Sequence, residues 1–150
     1  MHAPILAPAA VLVCWSLVML IWLVRARQQA MAAAGMNLGA SGPGGRGQDL
    51  QGKLPDAAMW PSHNYTHLME QPTLFYAAVM ILAIAGPHPG TVLGMIDVAL
   101  AWGYALLRIA HSLWQAKVNR IPERIMLFRA ASFCLIGLAL SALWVTLSAG

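Results

Sequence analysis

Four stretches of this 150-residue chain are apolar enough and long enough to cross a bilayer, and that leaves few folds open. A membrane-spanning helix needs about 20 mainly apolar residues. The stretches read as Pro4–Val24, Ser62–Ala85, Thr91–Ala116 and Ile125–Ser148. The chain is 59% hydrophobic and 9% charged, well outside the usual composition of a soluble domain. The expected fold is an all-α integral membrane protein, one domain over 1–150, built as a bundle of four transmembrane helices. Gly86-Pro87-His88-Pro89-Gly90 is too short to do more than turn the chain, so the second and third spans are antiparallel neighbours. The third and fourth join around Asn119-Arg120-Ile121-Pro122. The first connection, about 28–60, is long. Its Gly-, Ser- and Ala-rich part, including Ala40-Ser41-Gly42-Pro43-Gly44-Gly45, predicts a flexible cytoplasmic loop with no core of its own.

Charge supplies the orientation. All nine basic residues lie on or near one side of this arrangement: Arg25, Arg27, Arg46 and Lys53 after the first span, Arg108 inside the third, and Lys117, Arg120, Arg124 and Arg129 around the last connection. Basic loops stay cytoplasmic, so both termini are expected outside the cytoplasm, as in a multi-pass protein of a bacterial inner membrane. The net charge of +4 is then a topology signal with headgroup contacts, and no nucleic-acid partner is expected. The first span has no basic n-region and is too long for a cleaved leader, so it reads as retained. Cys14 and Cys134 fall inside apolar runs, where they pack as small side chains and form neither a disulfide framework nor a zinc site.

The ionisable residues inside the spans are the functional candidates. In the third, Asp97, Tyr104, Arg108, His111 and Gln115 recur at helical spacing within about 40° of one line; Asp97, nearer the outer side, is expected to hydrogen-bond within the bundle and is assigned no chemistry. Such a stripe must face other helices or a wet cavity. The second span carries His63, His67 and Glu70, continued on the same face by Leu74, Ala77 and Ile81. Depth in the membrane permits Glu70 to meet Arg108, and a lone charge in hydrocarbon costs at least about 2.5–3.5 kcal/mol. The pair could simply lock two helices together. The surrounding histidines, tyrosine and arginines favour a second reading, in which it floors a pocket for a charged ligand. Pro72 removes a backbone donor nearby, either as an ordinary kink or to line a cavity. Arg120 and Arg124, bracketing Pro122, are either flanking charges or an anion or thiolate site at the mouth of the bundle. His67 and His111, on facing stripes, leave axial haem ligation as a further alternative. So small a bundle offers little interior for these groups, and oligomerisation would supply the missing walls.

Two segments carry a family resemblance. Glu70-Gln71-Pro72-Thr73-Leu74-Phe75-Tyr76 is similar to a Glu-x-Pro-x-Leu-Phe-Tyr stretch, and Tyr104-Ala105-Leu106-Leu107-Arg108-Ile109-Ala110-His111-Ser112, continuing to Arg120-Ile121-Pro122-Glu123-Arg124, looks like an Arg-x-x-His-Ser/Thr motif with a downstream Arg-x-Pro-x-Arg. On these the chain resembles the MAPEG family, membrane-associated proteins in eicosanoid and glutathione metabolism, in a bacterial branch. The resemblance implies a homotrimer that binds glutathione between subunits and activates its thiol for attack on a small lipophilic electrophile drawn from the membrane lipids. On this chain His63, His67, Glu70, Tyr104, Arg108 and His111 would hold glutathione, and Arg124, with Arg120 second, would stabilise the thiolate. The family pattern puts Asn where this chain has His67 and Arg where it has His63, which implies weaker or pH-dependent anion binding. The alternative is a non-catalytic lipid-binding or scaffold trimer of the same fold.

Overall fold

A computed structural model describes residues 4–36, 39 and 43–148. Its four long helices are α1 (Leu6–Ala33), α2 (Asp56–Ala85), α3 (Val92–Lys117) and α4 (Ile121–Ser148), with a short 3-10 turn at Gly47–Leu50. Among the described residues there is no strand, and all four helices are long and apolar enough to cross a membrane. The protein is an all-helical membrane bundle. α2 and α3 touch each other and both outer helices, while α1 and α4 do not meet. The helices show broad apolar flanks to the surroundings, with Ile84, Phe133, Trp144 and Leu147 all strongly exposed. In lipid such flanks are solvated, so their exposure carries no hydrophobic penalty.

Several helix ends lie beyond the apolar runs. α1 continues nine residues past Val24 to Ala33, because Arg25-Ala26-Arg27-Gln28-Gln29-Ala30-Met31-Ala32-Ala33 is polar at intervals yet made of good helix formers. α2 starts at Asp56, ahead of the expected Ser62, and carries Pro61 inside its first turns, where one intrahelical bond is lost. α4 starts at Ile121, so Pro122 is its second residue and lacks only an N–H that a first turn leaves free anyway. The Arg-Ile-Pro-Glu-Arg segment is therefore mostly helix, and the link from α3 is confined to Val118, Asn119 and Arg120. Asn119 makes that reversal with φ of 55°, a left-handed conformation asparagine tolerates better than most residues.

The first connection differs from expectation in the same way. The helices claim both its ends, and its second half is anchored. Leu54 is buried with Met31 and Met59 in a small apolar cluster of its own. Arg27 Nη2 donates to Ser62 Oγ at 2.8 Å, tying α1 to α2, and its guanidinium lies so close over Gly47 that a side chain there would collide with it. The expected Gly/Ser-rich stretch at Ala40-Ser41-Gly42 lies outside the described residues.

The turn between α2 and α3 is built by its own hydrogen bonds. Thr91 Oγ1 donates to the His88 carbonyl at 2.7 Å and accepts from Gly94 N–H at 3.1 Å, capping α3. Gly94 has no room for a β-carbon, because the His88 carbonyl occupies that space. Gly94→Ala should therefore lower the thermal unfolding midpoint in detergent, by about 1–3 kcal/mol of overpacking. Gly45→Ala, in open space, should leave it unchanged.

Candidate functional site

The α3 stripe is inside the subunit along its whole length. Asp97, Tyr104, Arg108, His111 and Gln115 are all buried, as is Ser112 beside them. Tyr104 stacks on Phe75 of α2 with ring centroids 4.3 Å apart. Its hydroxyl donates to Gln71 Oε1 at 3.4 Å; Gln71 Nε2 donates in turn to Ser132 Oγ at 2.9 Å. These bonds bring α2, α3 and α4 together around one polar thread. Tyr104 is thus a core residue, sealed from the cavity described below.

Arg108 is the dominant feature. Its side chain is 1% exposed, yet no carboxylate pairs with it among the described residues. Nη2 donates to the backbone carbonyl of His67 at 2.6 Å, and the guanidinium carbon lies 5.9 Å from the centre of the Phe128 ring. Nε and Nη1 are buried with no hydrogen-bond partner. Two unmet donors on a cation inside an apolar bundle are costly.

The expected Glu70–Arg108 pair does not form within the subunit. Glu70 is exposed, and its Oε2 lies 3.1 Å from Nδ1 of His67, one turn earlier on the same helix. The reason is the facing of α2. Its inward residues are Asn64, Leu68, Pro72, Phe75, Val79 and Leu82, so the His63, His67, Glu70, Leu74, Ala77 and Ile81 face points away from the bundle. Phe75 stacking on Tyr104 sets that rotation. A membrane helix is apolar nearly all round, so periodicity locates its polar face without saying which side of the subunit that face occupies.

Behind this outward face, a cavity of about 370 Å³ opens between the ends of α2, α3 and α4. His67, His111, Arg124 and Phe128 line it, with Ile121 and Ile125. Arg108 lies directly beyond its wall, against the His67 carbonyl and the Phe128 ring. Arg124 is held at the cavity by Asn119, whose Oδ1 accepts from Nη1 at 2.6 Å, while its Nε has no partner. The structure therefore brings together His67, His111 and Arg124, with Arg108 behind them and Glu70 bonded to His67. Arg120 is solvent-facing, 3.9 Å from Glu123 and off the cavity wall, and His63 is half-buried and lines no part of it.

Sequence reasoning missed Asn64, Gln71, Ser112, Phe128 and Ser132. Asn64 is buried and donates to Ser112 Oγ, which also accepts from Trp15 Nε1 at 3.0 Å. A signal was present: Asn64 lies four, eight and eleven residues before Leu68, Pro72 and Phe75, which places it on their face. This node joins α1, α2 and α3, and removing its acceptor strands two donors. Ser112→Ala should destabilise the protein by about 1–3 kcal/mol. Glu70→Gln, on an exposed pair, should barely change the thermal midpoint without ligand.

A family model, the MAPEG family, matches residues 5–144 of the chain. No curated protein and no solved structure matches it. The match covers α1 to α3, α4 as far as Trp144 and every residue of the cavity, and it associates the protein with glutathione-related membrane chemistry in general. By its helical bundle and by this match, the chain belongs to the MAPEG family.

Proposed function

We propose that the protein is a membrane-embedded glutathione-dependent transferase or peroxidase that activates the glutathione thiol for attack on a lipophilic electrophile. The observation that carries this reading is Arg108: a buried guanidinium with Nε and Nη1 unpartnered, immediately behind a cavity lined by His67, His111 and Arg124. Glutathione is an anionic tripeptide with two carboxylates and one ammonium. The two histidines would hold carboxylate at the cavity wall, Arg108 would favour it through its charge from behind that wall, and Glu70 would take the ammonium. Tyr104 stands one turn from Arg108 on the buried face of α3, and His63 extends the polar face toward the bulk.

Arg124 is the proposed thiolate partner. It sits at the cavity with a free Nε, on the first turn of α4. A guanidinium next to sulfur lowers the thiol pKa and raises the thiolate fraction near neutrality. The thiolate then gives an electron pair to the electrophile, whose leaving group or opened ring takes the negative charge. Arg120, exposed beside Glu123, would act only at longer range.

The outward polar face favours an oligomer. Glu70 and His67 sit above a groove of about 600 Å³ between α2 and α4, walled by Leu74, Ala77, Ala78, Ile81, Ala139 and Ala142. Small residues let helices approach closely in lipid. A second copy seated there would shield Glu70 from acyl chains and close the cavity from outside, as a homotrimer requires. By the distribution of Lys and Arg the cavity faces the cytoplasm, in a bacterial inner membrane with both termini outside.

The test follows thiolate formation. Glutathione titrated into the purified protein should produce the ultraviolet absorbance of a bound thiolate and raise the thermal midpoint. Arg124→Ala should cut turnover with a model electrophile by about tenfold or more, as loss of a transition-state donor does. Arg108→Leu should abolish glutathione binding without abolishing the fold. No absorbance change and no thermal shift at millimolar glutathione would overturn the proposal and leave a lipid-binding trimer of the same fold.

A further inference from the structure

At the end of the bundle away from Arg108 the same helix carries a second buried charge. Asp97 is 4% exposed, on the α3 face that also bears Tyr104 and Arg108. Its Oδ2 accepts from Ser141 Oγ of α4 at 2.9 Å, and its Oδ1 takes no hydrogen bond from any described residue. No Lys or Arg occurs between Lys53 and Arg108, after Arg129, or before Arg25, so neither residue type stands at this end of the bundle. His88 also stands at this end, on the α2–α3 turn, where its Nδ1 accepts from the Gly90 N–H at 3.1 Å.

Two cavities reach Asp97. One, of about 420 Å³, is walled by Ile5, Leu82, His88 and Val98 at the α2–α3 turn. The other, of about 820 Å³, runs between α3 and α4 past Leu93, Leu100, Leu140, Ser141 and Trp144. Leu93, Leu140 and Trp144 are exposed on the lipid-facing flank, so this second cavity opens sideways into the membrane. The arrangement is a half-satisfied carboxylate and a hydroxyl at the base of an apolar channel with an aromatic ring in its wall. A carboxyl group in such a place is either protonated or met by a cation. Apolar walls suit an acyl or alkyl chain, and an indole face attracts an ammonium.

We propose that Asp97 and Ser141 form a second binding site, independent of the glutathione cavity, for the ammonium head of an amphiphile whose chain lies along α3 and α4. The ammonium can come from a bilayer phospholipid or from a lipophilic amine partitioned into the membrane. Both share the chemistry that Asp97 recognises.

The experiment uses the intact protein in detergent, with phosphatidylethanolamine, phosphatidylglycerol and dodecylamine as probes, read by native mass spectrometry and by thermal midpoint. Wild type should retain phosphatidylethanolamine or dodecylamine in preference to phosphatidylglycerol. Asp97→Asn keeps an acceptor for Ser141 but removes the charge, and should weaken that retention by about tenfold or more. Ser141→Ala removes the other half of the site and serves as a second variant should Asp97→Asn fail to fold; it should weaken retention of the ammonium probes by about threefold or more, and unchanged retention there would overturn the proposal. Retention of phosphatidylethanolamine identifies the source as lipid; retention of dodecylamine alone identifies it as a lipophilic amine. Equal retention of all three probes by wild type, or retention unchanged in a folded Asp97→Asn, would overturn the proposal.

Discussion

Everything at the cavity depends on how a membrane bundle accommodates Arg108. The side chain is enclosed by three helices and answers only one of its nitrogens, through the His67 carbonyl. That single bond fixes α2 against α3 at the depth where the polar residues collect. It also accounts for the position of Phe128, whose ring face lies toward the guanidinium and closes the site from the α4 side. A charge held this way is cheaper than a bare one and costlier than a paired one. The fold tolerates the difference because Tyr104, Gln71 and Ser132 lock the same three helices one to two turns away.

The α3 stripe could be read from the sequence because polar residues in a membrane helix are few, and their angular spacing is nearly free of noise. Asp97, Tyr104, Arg108, His111 and Gln115 are all buried as their spacing predicts. α2 was harder to read for the opposite reason. Its outward face is as apolar as its inward one away from the polar end, and the inward set is fixed by shape: Phe75 against Tyr104, and Asn64 under Ser112. No periodicity in a single helix encodes a partner's shape. Helix ends were misjudged where polarity and helix propensity part company, as in Arg25–Ala33, since a hydropathy reading stops at the first charge and the backbone does not.

The two ends of the bundle differ in kind. One collects arginines and histidines around a cavity; the other has a carboxylate, a serine and no Lys or Arg. Asp97 and Arg108, one toward each end, stand on one buried face of α3, while α1 and α4, which do not meet, serve as its flanks. The outward placement of His67 and Glu70 leaves polar surface at membrane depth on the outside of the subunit.

The three-residue link between α3 and α4 has a mechanical corollary. Asn119 both reverses the chain, in a left-handed conformation, and holds Arg124 by its side-chain oxygen. The joint and the clasp are one residue. The rest pose of Arg124 is therefore set by the same residue that turns the chain from α3 into α4.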